Sequence, residues 1–217
     1  MKISQIYQKY KIMPQLQTHM LRVAGVASII CDNFEKPLDK NSIISACLLH
    51  NMGNIIKADL DLFPEYLEER GIKYWKKVQR EFIDKFSNND HIATYTICEE
   101  LDVNSKTFVL IKGFGFAKTE ETFNSNIMRK LCVYSDLRVS PHKTTSLEHR
   151  LNEVKRSYLS RDKLIYTKEQ FDKFIPMWFE IEKQIFAHRK IKPEDVTEEK
   201  VKMLFDQLNN FEIETKE

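Results

Sequence analysis

Apolar residues recur every three or four positions in residues 16–31, a spacing close to the 3.6-residue period of an α-helix. This pattern predicts an amphipathic helix with one face in the core of the protein. His19 lies near that apolar face. The apolar positions are Leu16, Met20, Val23, Ala24, Ala27, Ile30 and Cys31.

A second pattern, in residues 43–49, is apolar around most of the helical circumference. Such a segment is typical of a central helix that is packed on all sides. Asp39 or Asn41 can cap its start, because a short polar side chain accepts a hydrogen bond from a free backbone amide there. The segment ends in the sequence His50-Asn51-Met52-Gly53.

The middle of the chain continues in the same manner. Pro64 predicts the start of a third helix, which Gly71 interrupts before residues 75–86 continue it. Asn89 or Asp90 predicts the start of a fourth helix, with His91 in its first turn. A fifth apolar segment, residues 108–111, runs into a loop with two glycines, and a sixth helix is predicted over residues 124–139, before Pro141.

The last third of the chain predicts further helices. Thr145 with Glu148, and Thr167 with Gln170, fit the capping-box pattern of a helix start. Pro176 falls inside the second of these helices and predicts a kink rather than an end. A final helix is predicted over residues 197–208. With only 5 Gly and 6 Pro among 217 residues, the fold class is predicted to be all-α.

Charge and cysteine content exclude several classes of protein. The 34 basic and 32 acidic residues give a net charge of +2, which exerts no bulk attraction toward nucleic acid or membrane. The four cysteines form no CxxC pair, so a zinc ribbon or redox dithiol is disfavoured. The first residues contain no apolar run typical of a signal peptide or membrane span, which favours a cytoplasmic location.

Four polar features lie among apolar neighbours on predicted helices: His19, the pair His50-Asn51, His91 and Asp136. A lone histidine on an apolar face is more often a hydrogen-bonded core residue than a metal ligand. Asp136 alone could likewise be a buried acceptor. The order of these residues along the chain, rather than any one of them, suggests a shared site.

That order resembles the HD-domain superfamily of metal-dependent phosphohydrolases. Three segments carry the resemblance over roughly the first two-thirds of the chain: QTHMLRVAGVA (residues 17–27), ACLLHNMGNIIKADL (residues 46–60) and YSDLRVSPHKTTSLEHRL (residues 134–151). The second is similar to the LLHDxG element of the family. The resemblance implies a compact multi-helix HD-domain bundle over residues 1–160, with residues 161–217 as a helical extension packed on it.

The resemblance also implies a metal site. His19, His50 and Asp136 match the metal ligands of the family, and position 51 matches its acidic ligand. Such a site suits a divalent ion: manganese, iron, cobalt, nickel, zinc or magnesium. The ion would polarise a phosphoryl oxygen and lower the pKa of a water molecule for attack on a phosphate ester.

Asn51 departs from the family pattern, which has aspartate at this position. An amide is uncharged and donates weakly to a cation, so metal affinity and activity are both expected to fall. Two explanations stay open: natural drift to a weakened or inactive site, or a deliberate aspartate-to-asparagine change made to trap a substrate. The otherwise intact motif favours the second, or a natural variant that still functions.

Further candidates surround these residues. His91 could be an additional ligand or lie near the substrate, and it could equally cap a helix. Arg22, three positions after His19, is expected to share its helix face and bind a phosphate. Arg138 and Lys57 are further candidates for substrate binding. The expected catalytic set is therefore Asn51, Arg22 and His91.

The leading hypothesis is a phosphohydrolase of a nucleotide or another small phosphate ester. The alternative is an inactive HD module that binds a nucleotide or a partner protein, which Asn51 favours. Oxidative chemistry at two irons is disfavoured, because residues 108–136 contain no further histidine. The basic run at residues 73–80 is read as a solvated helix face rather than a nucleic-acid site. Monomer and homodimer both remain open.

Overall fold

The computed structural model describes residues 1–61, 67, 70–159, 166–187 and 190–214. In these residues the chain is all-α, as the sequence predicts, and its only β pairings are two isolated bridges. The helices are α1 Ile3–Lys9, α2 Pro14–Asp32, α3 Lys40–Leu49, α4 Gly71–Lys85, α5 Asp90–Glu100, α6 Ser105–Lys112, α7 Thr119–Phe123, α8 Ile127–Asp136, α9 Leu147–Leu159, α10 Lys168–Phe186, α11 Glu198–Lys202 and α12 Phe205–Asn209. Short 3₁₀ turns lie at Asn54–Lys57, Phe116–Lys118 and Pro193–Asp195.

Helix α3 lies at the centre of the bundle. Every residue from Ser42 to Leu49 is buried, and α2, α6 and α8 pack around it. The Asp39 side chain caps its start by accepting a hydrogen bond from the Ser42 amide. The apolar circumference of residues 43–49 thus correctly predicts a fully packed helix.

In the middle of the chain, the observed helix starts agree with the predicted ones where a side chain caps the helix. Asn89 accepts hydrogen bonds from the first amides of α5, and α6 ends before the predicted glycine loop at Gly113. The helix start predicted at Pro64 lies outside the described residues. Gly71, predicted to interrupt a helix, is instead the first residue of α4.

Helix α8 is shorter than the predicted 124–139. It begins after Asn126, whose side chain accepts from the Arg129 amide, and it ends at Asp136. The next helix, α9, is also displaced from its predicted cap. Ser146, not Thr145, accepts from the amide three residues ahead, because the Thr145 amide donates to the Arg138 carbonyl.

The C-terminal helices pack against the rest of the bundle. Helix α10 has the predicted capping box at Thr167 and runs through Pro176 without a break. The single helix predicted at 197–208 is two short helices, α11 and α12, both packed on α2. Gly25 allows this close approach, because a Cβ atom there would lie 2.8 Å from Val201 Cγ1. The predicted boundary at 160/161 lies outside the described residues.

The two ends of the described chain meet. The Ile3 amide donates to the Phe211 carbonyl at 2.9 Å, and the Ile213 amide donates to the Met1 carbonyl at 3.0 Å. Within the described ranges, no helix is both long and apolar enough to cross a lipid bilayer. All four cysteines are buried and unbridged.

Candidate metal centre

Three helices bring His19, His50 and Asp136 together. His19 lies in the second turn of α2, His50 ends α3, and Asp136 is the last residue of α8. One ligand atom from each lies within 4.8 Å of the other two. Since the three positions are distant in the sequence, only the packing of these helices on one another creates the cluster.

His50 is the most buried member of the cluster. Its Nδ1 lies 2.8 Å from the Cys47 carbonyl oxygen, and its ring stacks on Phe114 with centroids 4.3 Å apart. Its Nε2 is buried, lies 3.4 Å from Asp136 Oδ1 and makes no hydrogen bond within the described part of the chain. A carbonyl that accepts from Nδ1 leaves the Nε2 lone pair available for a cation.

The protonation states of the cluster suit a cation as well. Burial lowers the pKa of His19 below its ordinary value, more than the nearby Asp136 carboxylate raises it. Burial alone would raise the pKa of Asp136, but the facing His19 and His50 rings hold it well below its usual range. Near neutral pH His19 therefore presents a neutral imidazole and Asp136 an anionic carboxylate, which are donors that suit a divalent transition metal.

Asn51 follows His50 directly and lines the same cavity. Its position is fixed by Gly53, whose amide donates to Thr94 Oγ1 at 2.9 Å. A Cβ atom on Gly53 would lie 2.3 Å from the Asp90 carbonyl oxygen, so this turn needs glycine in order to pack against α5. Position 51 is thereby held in the cavity wall directly after His50, with an amide where the family resemblance implies a carboxylate.

The cluster lies at a cavity of about 420 Å³, within the roughly 300–1,000 Å³ range of small-molecule sites. Among the described residues that line it, the charged side chains besides Asp136 are cationic: Lys57 and Arg150. Once a divalent ion offsets Asp136, the cavity is positive and favours an anionic ligand.

Lys57 and His91 line the cavity, and their roles at a substrate stay predictions. Lys57 is exposed, and its Nζ lies 2.6 Å from Asp90 Oδ2. His91 is exposed in the first turn of α5, and its ring lies 6.3 Å from that of Tyr95.

Arg22 is not brought to the cavity, contrary to the expectation from its helical spacing. Its guanidinium is buried, and its Nε donates to Glu198 at 3.0 Å. The same carboxylate accepts from the Thr144 amide at 2.7 Å. Arg22 thus joins α2 to α11, and this ion pair corrects the expectation that it faces a phosphate.

Arg138 also has a different partner from the one expected. Its side chain is buried and donates to the Tyr134 hydroxyl at 2.7 Å. Further donors reach the backbone carbonyls of Thr145, Pro193 and Val196. All of these donors are used within the protein. Arg138 therefore stabilises the position of the C-terminal segment and does not bind a ligand.

Arg150 is a cavity residue that the sequence did not single out. It lies on α9 between Leu147 and Val154, which are buried, so the helical period places it on their face. The sequence signal that could have identified Arg150 is an arginine on an otherwise apolar helix face. Its Nη1 lies 3.3 Å from Glu153, and its Nε is buried without a hydrogen-bond partner in the described residues.

Comparison with known proteins agrees with this geometry. Residues 16–106 match the HD domain family. The matched segment contains His19, His50 and Asn51, and Asp136 lies beyond it. No curated protein and no solved structure matches the chain. The HD domain match, the helical bundle and the His/Asp cluster together support membership of the HD-domain superfamily.

Proposed function

We propose that this chain is a metal-dependent phosphohydrolase that acts on a nucleotide or another small phosphate ester. The observation that carries the proposal is the cluster of His19, His50 and Asp136 at the wall of a cavity that is otherwise cationic. HD domains are typical of metal-dependent phosphohydrolases.

In this proposal, His50, His19 and Asp136 would hold the ion through one ligand atom each. A bound divalent ion would supply Lewis-acid polarisation of the phosphoryl group and make water more acidic. The Cys47 carbonyl and the Phe114 ring keep the His50 side chain in one orientation. Lys57 and Arg150 supply positive charge for the phosphate oxygens.

Asn51 is expected to weaken this function, since its amide oxygen is a neutral ligand in place of an anionic one. The neutral amide of Asn51 therefore supports a second candidate function. In it, the chain is a module that binds a phosphorylated ligand without turnover. The two functions differ in whether phosphate is released, and both require the cavity to bind an anion.

The test measures metal content of the purified chain and phosphate release from nucleoside mono-, di- and triphosphates and cyclic nucleotides, with each of the candidate metals. The natural chain, Asn51→Asp and Asp136→Asn are compared. Phosphohydrolase function predicts release by the Asn51→Asp form, weaker release by the natural chain, and none by Asp136→Asn.

Failure of both the natural chain and Asn51→Asp to release phosphate from the whole panel would overturn the hydrolase proposal. Metal-dependent binding of the same nucleotides, measured by calorimetry, would then favour the binding module. Phosphate release by Asp136→Asn at the rate of the natural chain would instead exclude the His/Asp cluster as the reactive site.

A further inference from the structure

The cavity has a second wall that the HD motif does not include. Helix α9 places Arg150, Val154 and Tyr158 four residues apart on one face, and all three line the cavity. At 1.5 Å rise per residue, the Cα atoms of Arg150 and Tyr158 lie about 12 Å apart along the helix. This face therefore spans the cavity from a cationic end to an aromatic end.

The cationic end lies beside the metal cluster. Arg150 is close enough to His19 for its charge to lower the pKa of that imidazole. Its Nη1 contacts Glu153, but its buried Nε has no acceptor among the described residues. The Arg150 side chain is nevertheless 25% exposed and lines the cavity, so the accessible part of its guanidinium can donate to a phosphate oxygen there.

The aromatic end is a wall of three rings: Phe116, Tyr158 and Tyr166. The Tyr166 ring packs edge to face against Phe116 at 5.3 Å and against Tyr158 at 5.1 Å. Phe116 rests in turn on Phe171, which is fully buried. Such a supported wall offers a rigid apolar surface, which suits a planar aromatic group better than a sugar or a polyol.

We propose that Arg150 binds the phosphate and that the wall of Phe116, Tyr158 and Tyr166 stacks on an aromatic group of the same ligand. The substrate is then a phosphate ester with an aromatic group at its far end, of the size of a nucleoside monophosphate. This inference rests on the proposed function, because it takes the position of the metal ion from it. It adds that residues beyond the matched HD segment select the ligand.

The test measures binding rather than turnover. Calorimetry with the manganese-loaded chain compares adenosine 5′-monophosphate, ribose 5-phosphate and inorganic phosphate. The first should bind at least about tenfold more tightly than the second, because only it carries an aromatic ring. Arg150→Gln should weaken binding of all three by about tenfold or more, with manganese affinity retained.

Matched variants separate the two ends of the cavity. Arg156→Gln changes an exposed arginine of the same helix and should bind like the natural chain. Tyr158→Leu should weaken the nucleotide about tenfold but leave inorganic phosphate unchanged, whereas Tyr158→Phe keeps the ring and should bind the nucleotide normally. Circular dichroism and melting temperature identify any variant that fails to fold.

Two results would overturn the inference. Equal affinity for adenosine 5′-monophosphate and ribose 5-phosphate would eliminate the aromatic subsite. Unchanged phosphate affinity in folded Arg150→Gln would eliminate the anion contact. Neither result depends on phosphate release, so an inactive chain that binds as expected would contradict the hydrolase proposal alone.

Discussion

The Nδ1 nitrogen of His50 lies 2.8 Å from the backbone carbonyl oxygen of Cys47, and this contact decides which ring nitrogen faces Asp136. A carbonyl oxygen accepts but cannot donate, so the proton belongs on Nδ1 and the lone pair on Nε2. The last turn of α3 thus prepares His50 as a ligand before any ion arrives.

This arrangement predicts the tautomer of His50. In the metal-free protein, two-bond ¹H–¹⁵N correlation spectra should show that the neutral form of the His50 ring carries its proton on Nδ1 and not on Nε2. Addition of zinc should shift the Nε2 resonance most. A His50 ring protonated at Nε2 in the neutral form would contradict the proposed metal geometry.

Replacement of Asn51 by aspartate should raise metal affinity. It adds an anionic oxygen beside the His/Asp cluster, and each 1.4 kcal/mol of added binding free energy is about tenfold in affinity. We expect at least about a tenfold lower dissociation constant for manganese by calorimetry. Asn54→Asp is the control, since Asn54 lines the same cavity outside the motif position. An equal gain from both variants would indicate a general charge effect and not a ligand at position 51.

Metal binding should stabilise the fold, because the cluster exists only when α2, α3 and α8 are packed together. At manganese concentrations about 100 times the dissociation constant, linkage predicts roughly 2.7 kcal/mol and a melting temperature higher by roughly 5–10 °C. Asp136→Asn should lose this shift, and Asp84→Asn, on the exposed face of α4, should keep it. A full shift in Asp136→Asn would place the ion elsewhere.

Glu198 should make the stability of the protein depend on pH. Burial raises its pKa, but hydrogen bonds from the Thr144 amide and Arg22 hold it below the ordinary value of 4.5. Since the folded-state pKa is the lower one, the stabilisation is present above the unfolded pKa and is lost as pH falls through the folded one.

Urea unfolding between about pH 6 and about pH 3 tests this dependence. The natural chain should lose more stability over that range than Glu198→Gln. At pH 6, Glu198→Gln should cost about 1.5–3 kcal/mol, and much less in an Arg22→Gln background, because the partner is already gone. Additive costs would show that the Arg22–Glu198 contact contributes nothing.

The contact of Gly25 with Val201 predicts a coupled pair. A methyl group at position 25 would lie 2.8 Å from Val201 Cγ1, so Gly25→Ala forces α11 away from α2. Overpacking of this kind costs about 1–3 kcal/mol, against a gain of up to about 1 kcal/mol in helix propensity. In a Val201→Ala background the cost should fall or change sign. A double-mutant cycle by urea unfolding with no coupling would contradict this packing.

The sequence predicted those features that depend on the pattern within one helix or one motif. Periodic apolar positions identified α2 and α3, and the HD-like segments led to His19, His50 and Asp136, which the structure brings together. Their role as ligands stays a prediction.

The sequence could not predict partners that are distant in the chain. Helical spacing placed Arg22 near the His19 face, but its acceptor, Glu198, lies 176 residues away. No local pattern indicates such a contact. Arg150 was missed although a local signal existed, namely an arginine on the same helix face as the apolar residues Leu147 and Val154.

The meeting of the two chain ends bears on how the protein is made. The Met1 carbonyl accepts a hydrogen bond from the Ile213 amide, and the Ile3 amide donates to the Phe211 carbonyl, so both bonds need a segment that is synthesised about 210 residues later. Arg138 and Arg22 likewise await partners on the C-terminal side. A ribosome extends the chain from its N-terminus, so these contacts that close the bundle form only after residues 211–213 have emerged. The contact of Tyr7 in α1 with the Leu48 carbonyl in α3 needs only the first quarter of the chain.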